Sequence, residues 1–211
     1  MFLAIFDLDG TILDTLNDMH DCLMDTMRHF SLPEFSRDTT KSYVGDGIRQ
    51  LVIRAAGKDR FKDEMETYFR GVYAENMTNK TRIIDGFQPV FDFIKQKDIT
   101  AVILSNKIEV LTAELVAHYS LDKYFVKSYG GDSFGAKKPS PVPVESIIRQ
   151  EGAPLARTLM IGDNHTDIES GYFAGVKTCF CSYGYGNLSD VKADFVADKP
   201  DEIIKALESL L

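Results

Sequence analysis

Two aspartates separated by one residue, Asp7 and Asp9, follow an apolar run at the start of the chain. Residues 2–6 contain no polar side chain, which predicts a strand buried on both faces. Alternation along an extended chain directs both carboxylates to the same side, where two charges about 4 Å apart repel by roughly 4 kcal/mol at an effective dielectric near 20. Either one carboxyl group is protonated or a cation lies between them. We therefore expect a ligand site at this strand end.

Polar groups also follow two apolar runs in the second half of the chain. Ser105 and Asn106 come directly after a run that ends at Leu104, and Asp163 follows a run that ends at Ile161. Lys138 lies in a proline-containing loop between them. Because the carboxyl ends of parallel strands meet at one edge of a sheet, these side chains would converge there with Asp7 and Asp9.

Each of these residues also has a purely structural interpretation. Asp9 before Gly10 is typical of a turn, and Lys137 beside Lys138 is typical of a solvated pair. Asp163-Asn164 is able to cap the helix predicted after it, a role that Asp167 would share. His165 lies beside these acids and is a candidate for the same site, but a solvated loop histidine is the favoured interpretation.

The elements that must position these groups fall into two kinds. Residues 15–82 show the apolar spacing of helices and no convincing strand. From Gly86 onward, strands and helices alternate, which is typical of a parallel sheet built by right-handed crossovers. The predicted strands are 2–6, 100–104, 125–129, 158–161, 177–181 and 194–197. The sequence thus predicts an α/β protein whose first strand, near the middle of the sheet, is separated from the rest by a helical insert.

Composition narrows the function further. The chain has 211 residues, 44% of them hydrophobic and 27% charged, which is ordinary for a globular protein. A formal charge of −8 argues against nucleic-acid binding, and no apolar run approaches the 18 or so residues of a membrane span. The N-terminus lacks the pattern of a secretory signal, and three cysteines do not make a disulfide framework. We expect a cytoplasmic protein, a monomer or homodimer, with no nucleic-acid or membrane partner.

Taken together, the polar residues resemble the four motifs of the haloacid dehalogenase-like hydrolase superfamily. The motifs occur in order as Asp7-Leu8-Asp9-Gly10-Thr11, Ser105, Lys138 and Gly162-Asp163-Asn164-His165-Thr166-Asp167. The resemblance covers essentially the whole chain and implies a Rossmann-like parallel sheet core with an inserted all-helical cap domain. The core would comprise residues 1–14 and 83–211, and the cap residues 15–82.

The resemblance also implies a role for each motif. Asp7 would be the nucleophile that forms an aspartyl-phosphate, and Asp9 the proton donor and acceptor. Lys138 would supply positive charge against the phosphate, and Mg²⁺ would be held by Asp7, the Asp9 carbonyl and Asp163, with Asp167 in support. The phosphate would be bound by Ser105, Asn106, Gly10 and Thr11, whose hydroxyl is also expected to brace the loop.

Within the superfamily, the chain resembles the phosphoglycolate phosphatase-like branch. The supporting residues are Ser105-Asn106-Lys107 and the cap stretch Val44-Gly45-Asp46-Gly47. Gly45 and Gly47 would let a cap loop approach the substrate, a small phosphorylated metabolite, and Arg49 would reach its carboxylate; a helix turn and a surface arginine are the alternative.

Other functions remain open on the sequence alone. Asn164-His165 resembles the corresponding motif of related pyrophosphatases, and a sugar-phosphate phosphatase or a mutase such as β-phosphoglucomutase would share the catalytic core. An inactive protein that binds Mg²⁺ and phosphate is a non-enzymatic alternative, which the retention of Asp7 and Asp9 disfavours.

Overall fold

Strand β1 (Leu3–Phe6) lies in the interior of a six-stranded parallel sheet, in the computed structural model that describes residues 1–211. The other strands are β2 (Leu13–Asp14), β3 (Arg82–Ile83), β4 (Thr100–Leu104), β5 (Lys127–Tyr129), β6 (Thr158–Gly162), β7 (Lys177–Cys181) and β8 (Phe195–Ala197). The helices are α1 (Leu16–His29), α2 (Arg37–Tyr43), α3 (Ile48–Ala56), α4 (Asp63–Asn76), α5 (Gln88–Gln96), α6 (Glu109–His118), α7 (Val142–Glu151), α8 (His165–Phe173) and α9 (Ile203–Glu208). The strand order is β5-β4-β1-β6-β7-β8, so the α/β fold and the inner position of β1 are confirmed.

The sheet is covered on both faces, as the uninterrupted apolar run of β1 predicts. Phe2, Ala4 and Phe6 belong to one large apolar cluster, whereas Leu3 and Ile5 belong to a second cluster on the opposite face. This division follows from the alternation of side chains along a strand. Both faces are therefore dry, and only the strand ends are open to a ligand.

The predicted strands agree with the structure in place and nearly in length. Strands β4 and β7 begin and end where the sequence predicts, while β5 begins two residues later and β8 one residue later than expected. The pair β2–β3 was not predicted, because two residues per strand are too few to show an alternating pattern. This antiparallel pair lies where the chain leaves the sheet for α1 and returns from α4.

Helices α1 to α4 pack against one another and join the larger apolar cluster. On α4, the sequence predicts an apolar face through Met65, Tyr68, Phe69 and Val72. Met65 and Phe69 are buried as predicted, whereas Tyr68 and Val72 are half-buried. The third buried residue is Tyr73, which was not predicted and which faces the sheet. No helix combines the length and the apolar character needed to cross a bilayer.

Candidate active site

The end of β1 delivers Asp7 to a buried ion pair with Lys138. The Lys138 ammonium lies 2.7 Å from Asp7 Oδ1, 2.6 Å from Asp167 Oδ1 and 2.6 Å from the carbonyl oxygen of Leu104. Its side chain is only 1% exposed. Burial lowers the pKa of Lys138, but the two carboxylates outweigh burial and raise that pKa above its usual value. Lys138 is therefore a fixed positive charge between the two carboxylates.

Asp163 is held from several sides at the end of β6. Thr11 donates its hydroxyl to Asp163 Oδ1 at 3.1 Å, and the backbone N–H groups of Tyr185 and Gly186 donate to Oδ2 at 2.6 and 3.2 Å. Gly10, with φ +88°, passes so close that a Cβ there would overlap the Asp163 carboxylate. A glycine is required at position 10 both for this backbone conformation and for this approach. The carboxylate is thus fixed in one orientation.

Asp7, Asp163 and Asp167 form a compact buried acidic cluster. One carboxylate oxygen from each lies within 4.8 Å of the others. Burial and the neighbouring Asp167 raise the pKa of Asp163 to about 7, and burial also raises the pKa of Asp7 against the opposing charge of Lys138. Three oxygen ligands at this separation fit a hard divalent cation such as Mg²⁺, whose charge would favour the ionised carboxylates.

Asp9 accepts hydrogen bonds from three residues in two segments of the chain. Thr15 donates its hydroxyl to Oδ1 at 2.7 Å, and Ser105 donates its hydroxyl to Oδ2 at 3.4 Å. The ammonium of Lys107, two residues after Ser105, lies 2.6 Å from Oδ1. The side chain of Asp9 is 12% exposed. Asp9 also lines the cavity described below.

Lys107 links the sheet edge to the helical segment. Its ammonium also lies 3.0 Å from the hydroxyl of Tyr73 on α4, and the side chain is 4% exposed. Burial lowers the pKa of Lys107, but Asp9 and Tyr73 outweigh burial and raise it. Burial raises the pKa of the Tyr73 hydroxyl. Lys107 is therefore a second buried ammonium, 98 residues from Asp9 in the chain and in direct contact with it.

The loop that joins α2 and α3 packs directly on the sheet edge. The Asn106 amide nitrogen donates to the carbonyl oxygens of Gly45 and Lys138, each at 2.9 Å, and the Lys137 ammonium donates to the carbonyl oxygen of Asp46. Gly45 has φ +124°, and a Cβ at this position would overlap the Asn164 side chain. These contacts hold the helical segment against the site and close one side of it.

A cavity lies between the sheet edge and the helical segment. Its floor contains the four aspartates, Ser105, Asn106 and both buried lysines, and its roof is formed by side chains from α1, α3 and α4. The space open to the centres of water-sized groups is about 50 Å³. A single water needs about 10–15 Å³ on this measure, so the cavity accepts only a small ligand. The roof is mostly apolar, consisting of Met19, Val44, Ile48, Leu51, Phe69 and Tyr73.

The structure brings most of the sequence-predicted residues together, with three exceptions. Arg49 does not line the cavity. Its guanidinium pairs with Asp63 at 2.8 Å and with Glu66 at 2.6 Å on α4, so the alternative of a surface arginine describes it. Gly10 donates its backbone N–H to the carbonyl oxygen of Leu13, so this N–H is not free for a phosphate. The Thr11 hydroxyl braces Asp163, as expected, and is thereby withheld from a phosphate.

Asp167 and His165 have roles that the sequence indicated only in part. Asp167 accepts from the backbone N–H of Asn164 at 3.0 Å, which completes a capping box at the start of α8, and it also pairs with Lys138. Asp167 therefore both caps α8 and contacts Lys138. His165 is half-buried as the first residue of α8 rather than a solvated loop residue, and it is not part of the acidic cluster.

Sequence reasoning named Lys107 only as part of a motif and gave it no role at the site, and it did not name Tyr73. Lys107 follows Ser105 and Asn106 directly, so its position after β4 was the available signal. No signal in the sequence pointed to Tyr73, because its role depends on which side of α4 packs toward the sheet.

Comparison with known proteins decides the family. A sequence profile for haloacid dehalogenase-like hydrolase matches residues 4–181, which is most of the chain. The chain belongs to the haloacid dehalogenase-like hydrolase family. The family's four motifs are the residues that meet in the cavity.

Curated relatives of this haloacid dehalogenase-like hydrolase cover nearly the whole chain. A protein of Aquifex aeolicus (strain VF5) named phosphoglycolate phosphatase is 34% identical over 99% of this chain and 98% of its own. A protein of the same name from Neisseria gonorrhoeae is 32% identical over 97% of this chain and 89% of its own. Among solved structures, a predicted phosphoglycolate phosphatase from Haemophilus somnus 129pt superposes with a TM-score of 0.89 at 23% identity, covering 98% of this chain and 97% of its own. That structure supports the fold.

Proposed function

We propose that this protein is a Mg²⁺-dependent phosphatase that hydrolyses a small phosphomonoester, of which phosphoglycolate is the leading candidate. The observation that carries the proposal is the Asp7–Lys138–Asp167 ion-pair system beside Asp163, in a cavity that also contains Asp9. The curated relatives named phosphoglycolate phosphatase support the substrate. The small cavity supports it independently, since little room remains for a leaving group beside the phosphate.

The arrangement suits two displacement steps at phosphorus. Asp7 attacks the phosphorus atom and forms an aspartyl-phosphate, while the bond from phosphorus to the leaving oxygen breaks. Asp9 gives a proton to that oxygen and later takes one from the water that hydrolyses the aspartyl-phosphate. Lys138 balances negative charge on the nucleophile and on the transferring group. The hydroxyl of Ser105, whose bond to Asp9 is long at 3.4 Å, would turn to donate to a phosphoryl oxygen.

The acidic cluster is the place for the metal. Asp7 and Asp163 would hold Mg²⁺ together with the Asp9 carbonyl oxygen, and Asp167 would orient Lys138 and metal-bound waters. Bound Mg²⁺ would neutralise charge on the phosphoryl oxygens. The pKa of about 7 for Asp163 supports this assignment, because a cation bound beside this buried carboxyl group would stabilise its ionised form.

We also propose that residues 15–82 act as a cap domain over a core formed by residues 1–14 and 83–211. The β2–β3 pair would be the hinge between them. The apolar roof would exclude water while Asp7 carries the phosphoryl group. The lack of a membrane-crossing helix is compatible with the proposed cytoplasmic location and a small soluble metabolite as substrate.

A substrate panel tests the proposal. Phosphoglycolate, ethyl phosphate, pyrophosphate, glucose phosphates and nucleotides are incubated with the protein in Mg²⁺ and in a chelator, and released phosphate is measured. We expect Mg²⁺-dependent release, fastest from phosphoglycolate and without an added sugar acceptor. Faster release from pyrophosphate would favour a pyrophosphatase, a requirement for a sugar acceptor would favour a mutase, and no release from any compound would favour a binding protein. Release undiminished by the chelator would contradict the proposed metal dependence.

A further inference from the structure

Two buried ammonium groups line the cavity, each with three N–H groups, and they differ in their surroundings. Lys138 has three oxygen neighbours within 2.7 Å, two of them carboxylate oxygens of Asp7 and Asp167. Lys107 has two, Asp9 Oδ1 at 2.6 Å and the Tyr73 hydroxyl at 3.0 Å. One N–H of Lys107 is therefore available to a ligand, and Lys107 lines the cavity.

The Lys107 ammonium lies beside the groups that a leaving group would meet. Lys107 touches Asp9, which would protonate the leaving oxygen, and Tyr73, which belongs to the roof. Lys138, by contrast, touches Asp7 and Asp167 on the phosphate side. A substrate with its phosphorus at Asp7 and its leaving oxygen at Asp9 would extend from there toward Lys107 and the roof.

The other side chains of the roof have no group that could bind a charged ligand. Met19, Ile48, Leu51 and Phe69 offer only apolar surface. A carboxylate buried against them without a partner would be strongly disfavoured, since removing a charge from water is costly unless the charge is paired. Arg49, the cation expected from the sequence to bind a carboxylate, is paired outside the cavity.

On the basis of the proposed function, we propose that Lys107 is a specificity-determining residue that binds a carboxylate on the leaving group. The favoured substrates would be phosphate esters of short hydroxy acids, in which one or two carbon atoms separate the ester oxygen from the carboxylate. Tyr73 fixes the ammonium from the roof, and a cavity volume of about 50 Å³ favours short chains.

The test compares two substrates that differ only in the carboxylate. Phosphoglycolate and ethyl phosphate share a two-carbon skeleton, and both are assayed with Mg²⁺ on the wild type, Lys107→Gln, Lys107→Met and Lys107→Arg. Lys107→Gln retains a donor for Asp9 but no charge, whereas Lys107→Arg retains the charge. Lys127→Gln, which removes an ammonium from an exposed ion pair with Glu151, is the matched control.

We expect the wild type to prefer phosphoglycolate by at least tenfold in kcat/KM. In Lys107→Gln and Lys107→Met, kcat/KM for phosphoglycolate should fall about 10- to 100-fold, the range expected for loss of a charge-assisted hydrogen bond, and mostly through KM. The value for ethyl phosphate should fall much less, so the preference collapses. Lys107→Arg should recover part of it, and Lys127→Gln should match the wild type.

Two results would overturn the inference while leaving the proposed function intact. One is an equal fall in kcat/KM for both substrates in the two neutral variants, which would mean that Lys107 acts only by orienting Asp9. The other result concerns the wild type alone. If the wild type hydrolyses both substrates equally well, it does not recognise the carboxylate. A wild type inactive on every ester would instead refute the proposed function.

Discussion

The ammonium of Lys138 lies 2.7 Å from a carboxylate oxygen of Asp7, although 131 residues separate them in the chain. The same ammonium reaches Asp167 and the Leu104 carbonyl, so one side chain ties together the ends of β1 and β4 and the start of α8. Local sequence cannot establish such a contact. It exists because the parallel strands end at one edge of the sheet.

Replacing Lys138 should destabilise the fold as well as abolish activity. Lys138→Met leaves Asp7 and Asp167 facing each other without the cation, and breaking a buried pair in this way typically costs about 3–5 kcal/mol. Urea unfolding in a chelator measures the loss. Lys192→Met is the control: its side chain is exposed and makes no hydrogen bond or ion pair, so its effect should stay within about 0.5 kcal/mol. Equal stabilities of the two variants would contradict the buried ion-pair system.

Asp7→Asn should lower phosphate release by at least about 10³-fold, because an amide cannot act as the nucleophile that forms the phosphoenzyme. Initial rates with phosphoglycolate and Mg²⁺ provide the measurement. Asp122→Asn changes an exposed carboxylate in the same way and should leave the rate unchanged. A rate for Asp7→Asn within tenfold of the wild type would rule out covalent catalysis by this residue.

Without divalent ions, the protein should become less stable as the pH rises from about 4 to about 7. Asp163 has a pKa of about 7 in the folded state and near 3.9 when unfolded, so the folded state binds more protons across this interval. Its contribution to stability is greatest below the lower value and is lost as pH rises through the higher one. Asp163→Asn should remove this part of the slope and be more stable than the wild type at pH 8, by on the order of 2 kcal/mol.

The measurement is urea unfolding in a chelator at pH 5 to 8, repeated at pH 8 with Mg²⁺. Mg²⁺ should stabilise the wild type and leave Asp163→Asn unchanged, since the variant lacks a ligand. Asp59→Asn, at an exposed position, should behave as the wild type does. Parallel pH slopes for the wild type and Asp163→Asn would show that this carboxyl group is not the one responsible.

Gly45→Ala should impair substrate turnover more than stability. The new Cβ would overlap the Asn164 side chain and force the α2–α3 loop away from the sheet edge, opening the cavity to water. We expect kcat/KM for phosphoglycolate to fall by about tenfold or more. Gly71→Ala adds a methyl group in the same helical segment with open space around it, and should raise stability by about 0.5–1 kcal/mol with normal activity. Equal kinetics for the two variants would show that close packing at Gly45 is unimportant.

The sequence was sufficient for the sheet and for the acidic cluster. Residues such as Leu3 and Ile5 form unbroken apolar runs, and the polar residues that follow such runs must meet at one edge when the strands are parallel. Asp7 and Asp163 therefore converge as the pattern predicts. Both features were predictable because they depend on the regular geometry of parallel strands.

The roof of the cavity was less predictable, because helix faces are set by packing. Arg49 was expected to reach a carboxylate ligand, yet its neighbours on α4, Asp63 and Glu66, take up its guanidinium. Tyr73, which was not predicted, is buried and meets Lys107, whereas Tyr68 and Val72, which were predicted to be on the apolar face, are half-buried. Helical periodicity predicts an apolar face but does not determine which of its edges packs most closely.

The two-residue strands β2 and β3 have a consequence for how this architecture diversifies. Leu13 pairs with Ile83, so a detour of about seventy residues starts and finishes at neighbouring points of the backbone. Whatever is spliced in at that junction leaves the register of the six parallel strands untouched, and the entropy of closing the detour changes only slowly with its length. Exchanging the inserted segment would therefore change the roof of the cavity, while the residues at the sheet edge, Lys107 included, keep their positions.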